Sequence, residues 1–103
     1  MKKAYYARPI SIDGTKQEVR DKELIQAMGF EPYPAGEDKI KAMEEYKELG
    51  MAASIPYIKD SNALFFRAFP DGSIGAGVAQ EIIWAHAYGI PSPLYFIFIY
   101  SCT

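Results

Sequence analysis

The sequence predicts an α/β fold with a mainly parallel sheet of about four to five strands and helices on both faces. Three observations lead to this prediction. Short apolar runs alternate with segments of helical periodicity, glycines follow the helical segments, and the third apolar run is almost continuous, as in a strand covered on both faces. At 103 residues the chain has room for one core, so we expect a single domain over residues 1–103.

The first half of the chain contains two predicted strand–helix pairs. Thr15 and Glu18 have the spacing of a capping box, in which each side chain satisfies the other residue's free backbone amide, so a helix should begin here. Gly29 is suited to end that helix in the left-handed conformation. The predicted elements are a strand over Ala4–Ala7, a helix over Lys16–Met28, a strand over Phe30–Tyr33 and a helix over Asp38–Leu49.

The second half continues the same alternation. Pro56 excludes a long helix, which leaves a short one at most. The next apolar run predicts a buried strand, and the helix after it is apolar around most of its circumference, which is typical of a buried helix. The predicted elements are a helix over Tyr57–Ser61, a strand over Ala63–Phe69, a helix over Val78–Tyr88 and a strand over Leu94–Tyr100. This order is typical of a small doubly wound fold, Rossmann-like or flavodoxin-like.

Composition excludes several classes of function. The net charge is −2 and the basic residues are scattered, so the basic stripe of a nucleic-acid-binding protein is missing. The mixed charges of Lys39–Glu48 are typical of a solvated helix face. The single cysteine, Cys102, and the single histidine, His86, provide almost nothing for a disulfide or a zinc site, and we expect no metal and no cofactor.

The sequence also predicts where the protein resides. No apolar segment of the length that a signal peptide needs follows the N-terminal lysines. The longest apolar run, Leu94–Tyr100, is too short to span a bilayer. We therefore expect a soluble, cytoplasmic protein without a membrane partner.

The loop after the third strand carries the predicted site. Ligands of open parallel sheets bind where strands lead into helices. Here the segment Ser73–Gly77 contains Gly75 and Gly77, which let the backbone approach a ligand, and the following helix favours an anion at its N-terminus. The spacing matches neither the Walker loop nor the dinucleotide fingerprint.

Glu81 gives this loop a possible chemistry. It lies about one turn into the apolar helix, where an unpaired buried charge would be costly, so it must face an open cleft or have a partner. A carboxylate beside an anion-binding turn suits cleavage of a sugar bond, with the carboxylate as nucleophile. The alternative is that Glu81 points to solvent or caps a loop amide.

Four segments in order along the chain resemble the nucleoside 2-deoxyribosyltransferase family, which includes relatives that hydrolyse 2-deoxynucleoside 5-monophosphates. The resemblance implies a Glu81 nucleophile that attacks C1 of the sugar and forms a glycosyl-enzyme intermediate. The segments that carry it are Tyr5–Ile10, Ile58–Phe65, Ser73–Glu81 and Gly89–Pro91.

The resemblance also implies roles for neighbouring residues. Tyr6 would lie near Glu81 and orient it, and Asp60 or Asp71 would bind sugar hydroxyls or assist the leaving base. Ser73 and the turn amides would hold the 5-hydroxyl or 5-phosphate. The catalytic candidates are Glu81, Tyr6 and Asp60, and the substrate-binding candidates are Arg8, Ser11, Asp71, Ser73, Gly75 and Gly77. Transfer to a second base and hydrolysis by water both stay open.

Other classes of function stay open as well. The same turn would serve a non-catalytic nucleotide-binding module, a sensor or a sponge, and the chain would also suit a structural subunit. The aromatic residues of Leu94–Tyr100 cannot all be buried by one face of a sheet. We therefore expect a homodimer or a higher homo-oligomer that associates through this region.

Overall fold

A computed structural model describes residues 2–69 and 71–92 of the chain. The strands are β1 (Lys2–Ala7), β2 (Phe30–Tyr33) and β3 (Ala63–Phe66). The helices are α1 (Lys16–Ala27), α2 (Glu37–Leu49), α3 (Ile55–Lys59) and α4 (Ala76–Ala87), and 3₁₀ turns cover Ile10–Ile12 and Gly50–Ser54. The predicted strand over Leu94–Tyr100 lies outside the described residues.

Within the described residues the strands form one open sheet in the order β2-β1-β3, and both pairings are parallel. At the centre, Tyr5 of β1 pairs with Tyr33 of β2 and with Leu64 of β3. The prediction of an α/β chain with a parallel sheet is confirmed, with three strands in this part of the chain.

The third strand is shorter than predicted. β3 ends at Phe66, because the chain then turns: the Phe69 amide donates to the Ser73 carbonyl at 2.8 Å, and the Gly72 amide donates to the Phe69 carbonyl at 2.8 Å. The apolar residues after Phe66 therefore belong to a turn, although their composition resembles that of a strand.

Alternation along the strands sorts the core onto two faces. Tyr6 and Phe65 pack with Ile25 of α1 on one face. On the other face, Leu64 and Val78 belong to a cluster that joins the sheet to α3 and α4; its buried members are Ala7, Ile58, Leu64, Phe66, Val78 and Ala85. The helices α1 and α4 therefore cover opposite faces of the sheet.

The start of α1 agrees with the predicted capping signal in part. The backbone amide of Glu18 donates to Thr15 Oγ1 at 3.4 Å, and Gly29 follows the helix at φ 91°. The second half of a capping box is replaced, because the Glu18 carboxylate pairs with Arg8. This change draws the loop after β1 towards α1.

The helix α2 makes few contacts with the core. Within the described part of the chain none of its side chains is buried, and its apolar stripe is exposed at Ile40 (61%), Met43 (53%), Tyr46 (43%) and Leu49 (62%). It packs mainly against the turn Gly50–Ser54. Gly36 and Gly50 flank the helix with φ of 59° and 67°, values that glycine adopts without strain.

The chain returns to the sheet after α4. The Leu64 amide on β3 donates to the Pro91 carbonyl at 2.9 Å. None of the described helices is long and apolar enough to cross a membrane.

Candidate functional site

A cleft of about 910 Å³ opens at the carboxyl ends of β1 and β2, the edge where parallel sheets bind ligands. Its walls include the ends of β1 and β2 with the loops that follow them, α2 with the turn after it, and the first turns of α4, and α1 contributes Lys22. The lining includes polar, charged and glycine residues from these parts: Tyr5, Arg8, Ser11, Asp13, Lys22, Lys39, Ser54, Gly75, Gly77 and Glu81.

Glu81 is a buried carboxylate at the wall of this cleft. Only 7% of the residue is exposed, and its Oε2 accepts a hydrogen bond from the Tyr5 hydroxyl. The alternative that Glu81 points to solvent is therefore wrong. Glu81 lies on the same face of α4 as Val78 and Ala85, which pack against the sheet, and the spacing of three and four residues brings it to the edge of the core.

The surroundings of Glu81 act on its pKa in two directions. Burial raises the pKa above its ordinary value of 4.5, while hydrogen bonds from Tyr5 and Ser54 and the positive charge of Arg8 oppose the rise. The pKa of Tyr5 is raised by burial and by the negative charge of Glu81. Tyr5 therefore keeps its proton and stays a donor to the carboxylate.

The expectation that Tyr6 lies beside Glu81 is wrong. Successive side chains of a strand point to opposite faces, and the Tyr6 hydroxyl donates to Asp21 on the α1 face. Tyr5, its neighbour, occupies the position beside Glu81. The sequence Tyr5-Tyr6 contains both candidates, and only the phase of the strand selects between them.

Asp21 is a buried carboxylate that no pattern in the sequence identifies as buried. It is fully buried and accepts from the Arg67 Nη2 at 2.6 Å, the Arg67 Nε at 3.1 Å and the Gln17 Nε2 at 2.9 Å, in addition to Tyr6. These partners tie α1 to β1 and to the end of β3. We interpret the network as structural, since its acceptors are occupied by protein donors.

The structure divides the candidates of the glycine-rich turn. Gly75 and Gly77 line the cleft, and a Cβ at Gly75 would lie 3.2 Å from the Phe69 ring. Asp71 and Ser73 are absent from the described cleft lining. The backbone amide and hydroxyl of Ser73 instead donate to Asp71 Oδ1 at 2.9 and 2.6 Å, and these bonds lower the pKa of Asp71.

The structure does not bring Asp60 to Glu81, because Asp60 is absent from the described cleft lining. Its Oδ2 is 2.8 Å from Lys3 Nζ at the amino end of β1, whereas the described cleft lies at the carboxyl end. The hydrogen bond and the charge of Lys3 hold the pKa of Asp60 below its ordinary value. Asp60 therefore pairs with β1 at the end of the sheet opposite the cleft.

Arg8 and Ser11 line the cleft as predicted candidates, and charged neighbours accompany them. Lys39 also lines it, although the charge run that contains it predicted a solvated helix face. Sequence periodicity places Lys39 on a helix, and only the tertiary position of α2 brings it to the cleft. Among the described residues no group of His, Cys, Asp and Glu side chains could hold a metal ion.

The cleft thus combines a buried, hydrogen-bonded carboxylate, backbone amides at the start of α4 and a cationic wall. Such an arrangement can bind an anionic ligand and present Glu81 to an electrophilic carbon. No protein-family model, curated protein or solved structure matches the chain.

Proposed function

We propose that this chain cleaves or transfers the N-glycosidic bond of a nucleoside, deoxynucleoside or nucleoside 5-monophosphate. The observation that carries the proposal is the position of Glu81, a buried carboxylate held by Tyr5 at the wall of a cleft of nucleotide size. The resemblance to the nucleoside 2-deoxyribosyltransferase family supports the same chemistry.

The reaction proceeds in two displacements. Glu81 attacks C1 of the sugar and forms an ester, and the base leaves with the electron pair of the C–N bond and takes up a proton. Water or a second base then attacks C1, releases the carboxylate and loses a proton. Tyr5 orients the carboxylate by its hydrogen bond to Oε2.

We also propose that the sheet is doubly wound. A doubly wound sheet needs a further strand beside β3, and the segment Leu94–Tyr100 has the composition of one. The hydrogen bond from the Leu64 amide to the Pro91 carbonyl supports this position, because it brings the preceding residues to that edge.

The direct test measures release of free base from deoxynucleosides and their 5-monophosphates. Glu81→Gln keeps the shape of the side chain and removes the nucleophile, so we expect base release to fall to the uncatalysed rate. Glu44→Gln, an exposed change on α2, is the matched control and should retain the full rate. Undiminished release by Glu81→Gln would contradict the proposal.

A second candidate function is a non-catalytic nucleotide-binding module. The hydrogen bond from Tyr5 favours it, because it shows Glu81 as an acceptor at the cleft wall, and the same carboxylate can accept a hydrogen bond from a ribose hydroxyl without attacking the sugar. Calorimetry with a panel of nucleotides, run beside the base-release assay, separates the two functions. Tight binding without any turnover supports the module.

A further inference from the structure

A cluster of five charged side chains lies on the α1 side of the cleft. Arg8 is at its centre, with Nη2 2.6 Å from Asp13 Oδ1 and Nε 2.8 Å from Glu18 Oε2. Lys22 Nζ lies 3.7 Å from Glu18 Oε1, and Lys39 Nζ lies 3.8 Å from Asp13 Oδ1. These three cations and two carboxylates leave one positive charge in excess.

The two lysines differ from Arg8 in how they are held. Arg8 makes two short, charge-assisted hydrogen bonds, whereas both lysine distances exceed the length of a hydrogen bond. Both carboxylates already accept from Arg8. The ammonium groups of Lys22 and Lys39 therefore retain donors for a further acceptor.

The positive charges of Lys22 and Lys39 also repel one another. The pKa of Lys22 lies below its ordinary value, mainly because partial burial disfavours the charged form. The charge of Glu18 opposes this change, and repulsion from Lys39 and Arg8 adds to it. The two lysines belong to different helices, α1 and α2. An anion between them would relieve the repulsion and join both walls of the cleft.

The turn at the start of α4 is less suited to a charged phosphoryl group. The hydroxyl of Ser73 is engaged by Asp71, whose negative charge repels an anion. The charge of Arg8, in contrast, acts on both Tyr5 and Glu81, so the cationic cluster is within electrostatic range of the carboxylate. Arg8, Lys22, Lys39 and Glu81 line the same cleft, so one ligand can reach both the cluster and Glu81.

We propose that Lys22 and Lys39, with Arg8 between them, form a subsite that binds a phosphoryl group of the ligand in the cleft. The proposal rests on the proposed function for the nucleotide character of that ligand, and it makes nucleoside monophosphates the preferred class over nucleosides. The phosphoryl group approaches from the α1 side of the sheet, and the sugar extends from it towards Glu81.

The test measures binding apart from turnover. The four 2-deoxynucleoside 5-monophosphates and the matching nucleosides are titrated by calorimetry into Glu81→Gln protein that carries Lys22→Gln, Lys39→Gln or the control Lys41→Gln. Lys41 lies on α2, outside the described cleft lining, and its change alters the net charge equally. The nucleosides are also titrated in the presence of inorganic phosphate. This shows whether a free anion in the cleft strengthens nucleoside binding as much as a covalently attached phosphoryl group does.

We expect each cleft-lysine variant to weaken monophosphate binding about tenfold more than nucleoside binding, as for loss of one hydrogen bond to a charged group. The Lys41→Gln control should bind as its parent does. Equal weakening of both ligand classes, tight monophosphate binding by every variant, or no monophosphate binding to the parent would overturn the subsite. The subsite would also be overturned if free phosphate strengthened nucleoside binding as much as the attached phosphoryl group does.

The subsite and the proposed function fail separately. If the wild-type chain releases no base but binds monophosphates through the lysines, the proposed function is wrong and the subsite stands. If base release from nucleosides equals that from monophosphates and the lysine variants leave this ratio unchanged, the glycosidic chemistry stands and the subsite is wrong.

Discussion

Tyr5 and Tyr6 are adjacent in sequence, yet their hydroxyls bind carboxylates on opposite faces of the sheet. Tyr5 donates to Glu81 at the cleft, and Tyr6 donates to Asp21 within the α1 face. The Tyr6–Asp21 pair is buried and the Tyr5–Glu81 pair is partly buried, and the two carboxylates have different further partners. Asp21 forms an ion pair with Arg67. For Glu81, burial disfavours the ionised carboxylate, and only its hydrogen bonds and the charge of Arg8 favour that form.

The Tyr5–Glu81 hydrogen bond allows a prediction about the pH dependence of base release. Glu81 must be ionised to attack, so base release should rise with pH as its raised pKa is passed, on an acidic limb above the ordinary value of 4.5. The Tyr5 hydrogen bond favours the ionised form. Tyr5→Phe should therefore raise the pKa of Glu81 further, lower kcat/KM and move the acidic limb to higher pH.

The measurement is a pH profile of kcat/KM for both tyrosine variants. Tyr6→Phe is the matched control, since it removes a hydroxyl from Asp21 and should lower the free energy of unfolding without moving the acidic limb. A limb that moves equally in both variants, or in neither, would contradict the role of Tyr5.

At the scale of elements, α1 and α2 show which properties of a helix a sequence pattern predicts. Both helices lie close to their predicted boundaries, and the capping signal at Thr15 locates the start of α1. The apolar spacing of Ile40, Met43, Tyr46 and Leu49 is equally regular, but this stripe is exposed. Periodicity identifies the apolar face of a helix and does not identify what covers it.

The contrast predicts unequal contributions to stability. Ile25→Ala removes a fully buried side chain of α1 and should lower the free energy of unfolding by about 2–5 kcal/mol. Ile40→Ala, on the exposed stripe of α2, should change it by less than about 1 kcal/mol. Urea unfolding followed by circular dichroism measures both. A loss from Ile40→Ala as large as that from Ile25→Ala would show that α2 is covered in solution.

The site was predicted less completely than the fold, for a physical reason. Glu81 was found because a carboxylate in an apolar helix is unusual, a signal that the sequence itself contains. Asp21, Lys22 and Lys39 have ordinary neighbours in sequence. Asp21 gains its role from Arg67, 46 residues away, and Lys39 gains its role from Asp13 in the loop after β1. Residues that act through long-range contacts leave no local pattern.

At the scale of the whole molecule, the aromatic composition predicts self-association. The segment Leu94–Tyr100, outside the described residues, carries more aromatic surface than one face of a sheet can bury. We propose that the chain forms a homodimer or a higher oligomer through it. Light scattering at micromolar concentration should give a mass of at least two chains.

Surface variants then locate the contact. Phe96→Ser with Phe98→Ser should reduce the mass to that of one chain, whereas Ile40→Ser with Leu49→Ser on the exposed stripe of α2 should not. A monomeric wild-type chain would contradict the prediction. Dissociation by the α2 pair alone would assign the contact to α2.

The weak attachment of α2 has a consequence for how the cleft opens. Because no described side chain of α2 is buried, local opening of this helix exposes little core, and its amides should exchange with solvent at a free energy well below that of global unfolding. We therefore expect this wall of the cleft to open locally before the rest of the described fold. A ligand that joins Lys22 to Lys39 would be recorded as slower hydrogen exchange along the whole of α2.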